Sequence, residues 1–165
     1  MLYVSVQVET AWGRLPPGPY VGIAQDLVDF PFMEAIGLSS YPYLGGFQEP
    51  ETIPLDYYSR IAQGTTLPVL VVEGGWSSLT FDTLVSSPAE QARYINWQAR
   101  LADSAKARGL FQLTFYDLDL STSPPPPGSI LPLFAHLGLA DSAMHAKPAL
   151  APWDSTLRRP YNGSP

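Results

Sequence analysis

The fold of this chain is decided by residues 67–76, which read LPVLVVEGGW. Residues 69–72 are four aliphatic residues in a row, three of them β-branched. This pattern is typical of a short strand that is buried on both faces of a parallel sheet. Pro68 can open such a strand but cannot sit within it. The stretch therefore predicts a parallel strand that ends at Glu73.

The residues that end this strand favour a functional site. A carboxylate at the end of a buried strand is costly unless it is paired or used. Gly74 and Gly75 allow the backbone to turn sharply after Glu73, and Trp76 offers a flat apolar face just beyond. A carboxylate beside an aromatic face suits a site that cleaves sugars. The alternative is a structural site, with Glu73 in a salt bridge and Trp76 as a loop anchor.

Three further apolar runs predict strands of the same kind. They start at residues 2, 35 and 110 and read LYVSVQV, AIGLS and LFQLTF. Helices are predicted between and after the strands, over residues 21–30, 55–63, 87–108 and 130–137. The third has the clearest signals, because Ser87 can cap it, Pro88 takes the first position and Glu90 completes a capping box. We expect this helix to run to Arg108, with Gly109 ending it.

The alternation of strands and helices predicts an α/β chain of four parallel βα units. A (β/α)8 barrel has about 250 residues, or about 31 per unit, so four units of this size make half a barrel. A doubly wound sheet is the alternative, but no strand is followed by a phosphate-binding glycine pattern and a helix. Polar and aromatic residues instead gather after every predicted strand, where barrel enzymes place their active sites.

Two of the strands carry a family resemblance. The run AIGLSSYPY at residues 35–43, followed by VLVVE at 69–73, resembles strands six and seven of retaining (β/α)8 glycoside hydrolases. In that superfamily the acid/base lies on strand four and the nucleophile on strand seven. The nearest resemblance is to the arabinogalactan endo-β-1,4-galactanases. It implies hydrolysis of O-glycosyl bonds in a polysaccharide or oligosaccharide, with no cofactor.

The resemblance also implies roles for individual residues. Glu73 matches the nucleophile, Tyr41 matches the tyrosine that orients it, and Trp76 matches an aromatic platform for a sugar. Other side chains that follow strand ends are candidate sugar contacts. They are Glu9, Trp12, Tyr43 and Asp117.

Two departures from the family pattern limit the expected activity. No Asn-Glu pair of the strand-four type is present, since Glu9 follows Val8 and its position corresponds to strand five. The last strand runs into Phe115-Tyr116-Asp117 rather than ending in tryptophan. We therefore interpret the chain as strands 5–8, the C-terminal half of a barrel. Residues 1–153 would form the domain and residues 154–165 a flexible tail.

Composition excludes several other classes. The net charge of -6 and a pI near 4.7 argue against nucleic acid and anionic membranes as partners. The chain has no cysteine, and neither His136 nor His145 lies in a cluster with ligand spacing, so we expect no metal. The N-terminus lacks the basic region of a signal peptide and no apolar run is long enough to span a membrane. The location in the cell is not predicted by these features.

Two alternative functions remain open at this point. The chain could be a catalytically inactive, carbohydrate-binding relative that uses the same aromatic residues. It could also be a structural half-barrel that needs a partner. In either case residues 2–8 and 110–115 would be exposed sheet edges, and we expect the isolated chain to self-associate through them.

Overall fold

Four parallel strands form one sheet in chain order in the computed structural model, which describes residues 2–81 and 83–160. The strands are β1 (Tyr3–Gln7), β2 (Ala35–Ser40), β3 (Val69–Gly74) and β4 (Gly109–Leu110). Every neighbouring pair is parallel. The predicted α/β chain of four parallel units is confirmed, and each strand starts within a residue of its predicted position.

The fourth strand is much shorter than the predicted run to residue 115. Only Gly109 and Leu110 pair in register with β3. Farther along, the Phe115 carbonyl accepts hydrogen bonds from the backbone N–H groups of Leu139 and Ala140. Phe111 and Leu113 still donate their N–H groups to Val71 and Gly74 of β3, but at Phe115 the chain is bonded to a segment distant in sequence. The predicted extent of this strand is wrong.

The longest helix is α3 (Pro88–Ser104), and its start is the one predicted. Ser87 is the N-cap, and its side chain accepts a hydrogen bond from the backbone N–H of Glu90. The predicted end at Arg108 is wrong. The helix stops at Ser104, the chain turns through Lys106 at a positive φ of 50°, and Arg108 donates its N–H to Val69. Gly109 accordingly begins β4 rather than ending the helix.

The remaining helices are short. They are α1 (Val8–Ala11), α2 (Ala24–Asp29) and α4 (Leu150–Leu157). The predicted helix over 55–63 is a series of turns, because most of its backbone bonds join residues three apart, such as Tyr57 N–H to Pro54. The predicted helix over 130–137 is reduced to a 3-10 helix at Leu131–Phe134, and another 3-10 helix lies at Pro50–Thr52.

The two faces of the sheet differ in burial. Ile36, Leu38 and Val71 are fully buried in a core that includes Tyr94 and Leu101 of α3. This face therefore holds the sheet and α3 together.

The opposite face is open. A Cβ atom on Gly37 would lie 2.9 Å from Tyr3 and 3.2 Å from Val72, which places these residues on one crowded face. Tyr3 is 52% exposed and Phe111, just after β4, is 56% exposed. In a closed barrel the inward-facing side chains fill the interior, so an open inner face is the geometry expected of half a barrel.

The C-terminal helix α4 runs past residue 153, where the sequence analysis ended the domain. It continues to Leu157, packs against α3, and is followed by an ion pair between Arg159 and Asp103. Residues 154–160 are therefore joined to the rest of the domain. The last five residues of the predicted tail, 161–165, lie outside the described residues. Among the helices that the structure describes, none combines the length and apolar character that crossing a membrane requires.

Candidate active site

The site begins with an irregularity in the pairing of β2 and β3. Leu38 pairs with Val71, but the next residue, Ser39, pairs with Glu73, so that Val72 has no partner of its own. An extra residue of this kind redirects the side chains that follow it. Glu73 therefore shares a face with Ser39 instead of lying opposite Ser40.

Two hydroxyl groups meet the Glu73 carboxylate at this point. The Ser39 hydroxyl donates a hydrogen bond to Glu73 Oε1 at 2.5 Å. The Tyr41 side chain also lies near this carboxylate, and burial together with the Glu73 charge raises the pKa of Tyr41 well above its ordinary value. The structure thus brings together the pair that the sequence analysis predicted. Their roles in catalysis remain predictions.

Glu9 lies nearby but is sealed from solvent. It sits in α1, directly after β1, and is 0% exposed. Its Oε1 accepts hydrogen bonds from Ser40 and Tyr57, each at 3.1 Å, and its Oε2 accepts one from Gln7 at 2.7 Å. Burial raises the pKa of Glu9 despite these donors. The expectation that Glu9 contacts a sugar is therefore wrong for this structure, because no part of the side chain reaches the surface.

Trp76 is likewise enclosed rather than available as a platform. Its side chain is 0% exposed, and its ring stacks on Tyr94 of α3 with centroids 5.2 Å apart. Its indole N–H donates to the Ser86 hydroxyl. The ring has no open face for a sugar in this structure. The platform assignment of Trp76 is corrected to that of a core residue that anchors the loop after β3.

Tyr43 and Trp12 are also engaged by the protein. Tyr43 is 7% exposed, and its hydroxyl donates to the Leu133 carbonyl, so its expected contact with sugar is not available in this structure. Trp12 is half-buried, stacks on Tyr57 with centroids 5.0 Å apart, and has the Arg60 guanidinium over its ring. Its assignment as a sugar contact stays a prediction.

Asp117 belongs to a separate cluster on the β4 side. Its Oδ1 lies 2.8 Å from Lys147 Nζ and accepts the Gly138 N–H, and His136 Nδ1 is 3.6 Å from its Oδ2. Burial alone would raise the pKa of Asp117, but His136 and Lys147 hold it below its ordinary value. Asp117 also lines a surface pocket with His136 and Asp141. Its contact with substrate stays a prediction, while its ion pair clearly holds the 136–147 segment in place.

Sequence reasoning missed six side chains that contribute to these clusters. They are Gln7, Ser39, Ser40, Tyr57, His136 and Lys147. Ser39 could have been found, because a hydroxyl two positions before Tyr41 in a strand shares its face. Lys147 had no such signal, since it meets Asp117 only through the folding back of the C-terminal segment.

The described part of the chain shows no metal centre. Within residues 2–81 and 83–160, no three His, Cys, Asp or Glu side chains converge closely enough to hold an ion. The polar groups around Glu73 and Glu9 are hydroxyls and an amide, which are suited to hydrogen bonding with a carboxylate or a sugar.

Comparisons with solved structures identify the architecture. A β-glucuronidase from an uncultured Clostridium species matches with a TM-score of 0.57 at 16% identity, covering 78% of this chain and 23% of that chain. The GH53 catalytic domain of Ignisphaera aggregans matches with a TM-score of 0.57 at 18% identity, covering 92% and 45%. An active-site mutant of the Rhizomucor miehei β-1,3-glucanosyltransferase, in complex with laminaritriose, matches with a TM-score of 0.51 at 19% identity, covering 71% and 42%.

These matches bear on the fold alone. No protein-family model matches this chain, and no curated protein matches it significantly. The chain spans less than half the length of each of the three structures. Its four parallel strands therefore have the fold of part of a (β/α)8 glycoside hydrolase domain, as the sequence predicted.

Proposed function

We propose that this chain is strands 5–8 of a retaining glycoside hydrolase and supplies its nucleophile, Glu73. The substrate would be a polysaccharide or oligosaccharide whose O-glycosyl bonds are cleaved in the manner of the endo-galactanases. The observation that carries this proposal is the position of Glu73. Its carboxylate is turned to the inner face at the carboxyl end of β3, where the Ser39 hydroxyl donates to it and the Tyr41 side chain lies near it. The carboxyl ends of barrel strands are where barrel enzymes place their catalytic residues.

The chemistry follows from this arrangement. A Glu73 oxygen attacks the anomeric carbon, the bond from that carbon to the leaving oxygen breaks, and the leaving oxygen takes a proton from a second carboxyl group. Water then hydrolyses the glycosyl ester and releases Glu73. The hydrogen bond from the Ser39 hydroxyl fixes the direction of the carboxylate. Tyr41, which lies near the same carboxylate, acts as an orienting residue for the nucleophile.

The proton donor is assigned to the rest of the barrel. A retaining enzyme needs its second carboxyl group about 5–5.5 Å from the nucleophile. Glu9 is fully buried and held by several donors, and Asp117 is paired with Lys147, so neither is placed to protonate a leaving group. A complete enzyme of this kind would need four further βα units and an Asn-Glu pair. We also expect the isolated chain to show no hydrolysis of natural glycosides.

The burial of the aromatic residues disfavours the sugar-binding alternative. An inactive binding relative would need Trp76 and Tyr43 on its surface, and both are in the core. The structural alternative has a specific observation in its favour. Leu2 and Tyr3 at one edge of the sheet, and Phe111 just after β4 at the other, are each more than half exposed. Such edges pair readily with other strands, so the chain is expected to associate with a complementary half-barrel or with itself.

Kinetics of a nucleophile variant test the proposal in the protein that carries the rest of the barrel. Glu73→Ala should lower kcat by about 10³-fold or more, since covalent catalysis is lost. Added azide should then restore turnover of an activated aryl β-galactoside and give a glycosyl azide of inverted configuration, because azide fills the space of the missing carboxylate. The matched control is Glu51→Ala, an exposed glutamate far from the β3 end. Near-normal kcat in Glu73→Ala would show that the assignment is wrong.

A further inference from the structure

The buried carboxyl group of Glu9 is surrounded by hydrogen-bond donors. Ser40 and Tyr57 donate to one oxygen and Gln7 to the other. Among the described residues Glu9 forms no ion pair, so these hydrogen bonds are its compensation for burial. Because Glu9 is inaccessible and bonded to several donors, any functional role of Glu9 must act through those neighbouring residues.

The donors come from three separate parts of the chain. Gln7 ends β1, Ser40 ends β2, and Tyr57 lies in the turns between β2 and β3. Gln7 is itself fixed, because its side-chain oxygen accepts the Thr10 N–H at the start of α1. One carboxyl group thus ties the carboxyl ends of two neighbouring strands to the loop that follows them.

The same three consecutive residues meet both carboxylates. Ser39 and Tyr41 send their side chains to Glu73, whereas Ser40, between them, sends its side chain to Glu9. This alternation is the period of two expected of an extended chain. Glu9 and Glu73 therefore lie on opposite sides of residues 39–41. A change in the hydrogen bonds to Glu9 would shift the side chains that face Glu73.

We propose that Glu9 is a positioning residue. It holds residues 39–41 on the side opposite Glu73, so that the Ser39 and Tyr41 side chains stay directed at Glu73. The geometric part of this inference stands on the contacts alone. Its consequence for catalysis rests on the proposed function of Glu73. Glu9 itself touches no substrate, because it is enclosed.

Glu9→Gln tests the inference with little change in shape. The variant's amide NH2 cannot accept a hydrogen bond, so the groups that now donate to that oxygen can no longer do so and the network must rearrange. Ile95→Val is the matched control, since it removes one buried methyl group from α3 without touching the network. Both variants are compared with the parent chain by hydrogen–deuterium exchange with mass spectrometry and by crystallography.

The expected result is local. In Glu9→Gln, exchange in the peptide that contains residues 39–41 should rise about tenfold while α3 keeps its protection, and the Ser39–Glu73 hydrogen bond should lengthen beyond 3.5 Å. Ile95→Val should show neither change. Unaltered exchange and an intact Ser39–Glu73 bond in Glu9→Gln would overturn the inference. So would a uniform rise in exchange over the whole sheet and α3, which would mark Glu9 as a general stability residue.

The catalytic consequence is measured separately, in the protein with the complete barrel. Glu9→Gln should lower kcat by about tenfold with KM little changed, and Ser40→Ala should have the same effect to a smaller degree. Neither structural readout involves a sugar, so failure of the positioning role and failure of the Glu73 assignment give different results. If the geometry loosens as predicted but kcat is unaffected, the functional part of the inference is wrong.

Discussion

Ser39 of β2 donates a hydrogen bond to Glu73 of β3 only because the register between the two strands skips Val72. Without this extra residue, Glu73 would pair beside Ser40, on the face that packs against α3. The irregularity therefore decides whether the Glu73 carboxylate is buried against α3 or faces the open side of the sheet. Irregularities of this kind often re-aim side chains near active sites, and this one directs Glu73 toward Ser39.

The Ser39 hydroxyl should contribute measurably to the native state. We expect Ser39→Ala to lower the free energy of unfolding by about 1–2 kcal/mol, because a hydrogen bond to a charged acceptor is lost. Ser142→Ala, which changes an exposed loop serine, should have an effect of less than about 0.5 kcal/mol. Urea unfolding followed by tryptophan fluorescence at matched protein concentration measures both. Equal effects of the two substitutions would contradict the assigned contact.

The raised pKa of Glu9 makes a signed prediction about pH. A carboxyl group whose pKa is higher in the folded state than in the unfolded state favours folding when protonated. That contribution is complete below the unfolded pKa and is lost as pH rises through the folded pKa. The stability of the parent chain relative to Glu9→Gln should therefore fall between about pH 4 and neutrality. Urea unfolding of both proteins across this range measures the difference, and a difference that rises with pH would show that the sign is wrong.

Replacing only one partner of the ion pair between Lys147 and Asp117 should lower the free energy of unfolding. Both side chains are about nine-tenths buried, so Lys147→Met leaves an unpaired charge and should cost about 3 kcal/mol. The double variant Lys147→Met/Asp117→Asn should recover much of this loss, since the uncompensated charge is removed. Chemical unfolding of the two single variants and the double variant gives the coupling between them. Additive effects would exclude the ion pair as the main link between the β4 end and the 136–147 segment.

The exposed sheet edges predict that the isolated chain self-associates. Leu2 and Tyr3 at the β1 edge, and Phe111 just after β4, are apolar and solvent-exposed. A lysine on an edge strand opposes such pairing, so Ser5→Lys in β1 should reduce association, whereas Ser142→Lys adds the same charge away from the edges and should not. Light scattering at about 20–50 μM, a usual working range for such edge-to-edge association, distinguishes the variants. A stable monomer of the unmodified chain would refute this prediction.

Much of the fold was predictable because its signals are local. The apolar run before Glu73 predicted β3, and the Ser87, Pro88 and Glu90 pattern predicted where α3 begins. The carboxyl ends of parallel strands lie at one edge of a sheet, so the polar residues that follow the strands were expected to gather there. The short β4 was not predictable in the same way, because the chain near Phe115 pairs with Ala140, which is distant in sequence.

The errors in the site have a common physical cause. Whether a residue just after a strand points to solvent or into the core depends on what its loop packs against. Trp76 meets Tyr94 of α3, and Glu9 meets donors from β2 and from Tyr57. Neither contact has a signature near the residue itself. Glu73 and Tyr41 were predicted to lie together because the strand period and the family resemblance both led to them. The skipped Val72, which brings Ser39 to Glu73, depends on pairing between strands.

The most direct test of the central claim is covalent labelling of Glu73. The protein with its complete barrel is incubated with 2,4-dinitrophenyl 2-deoxy-2-fluoro-β-galactoside, whose good leaving group needs little help from an acid, and is then digested for peptide mass spectrometry. We predict a fluoroglycosyl ester on Glu73 and none in Glu73→Gln, while the exposed-glutamate control Glu51→Gln is labelled as fully as the parent protein. A label on another carboxylate, with Glu73 unmodified, would contradict the account.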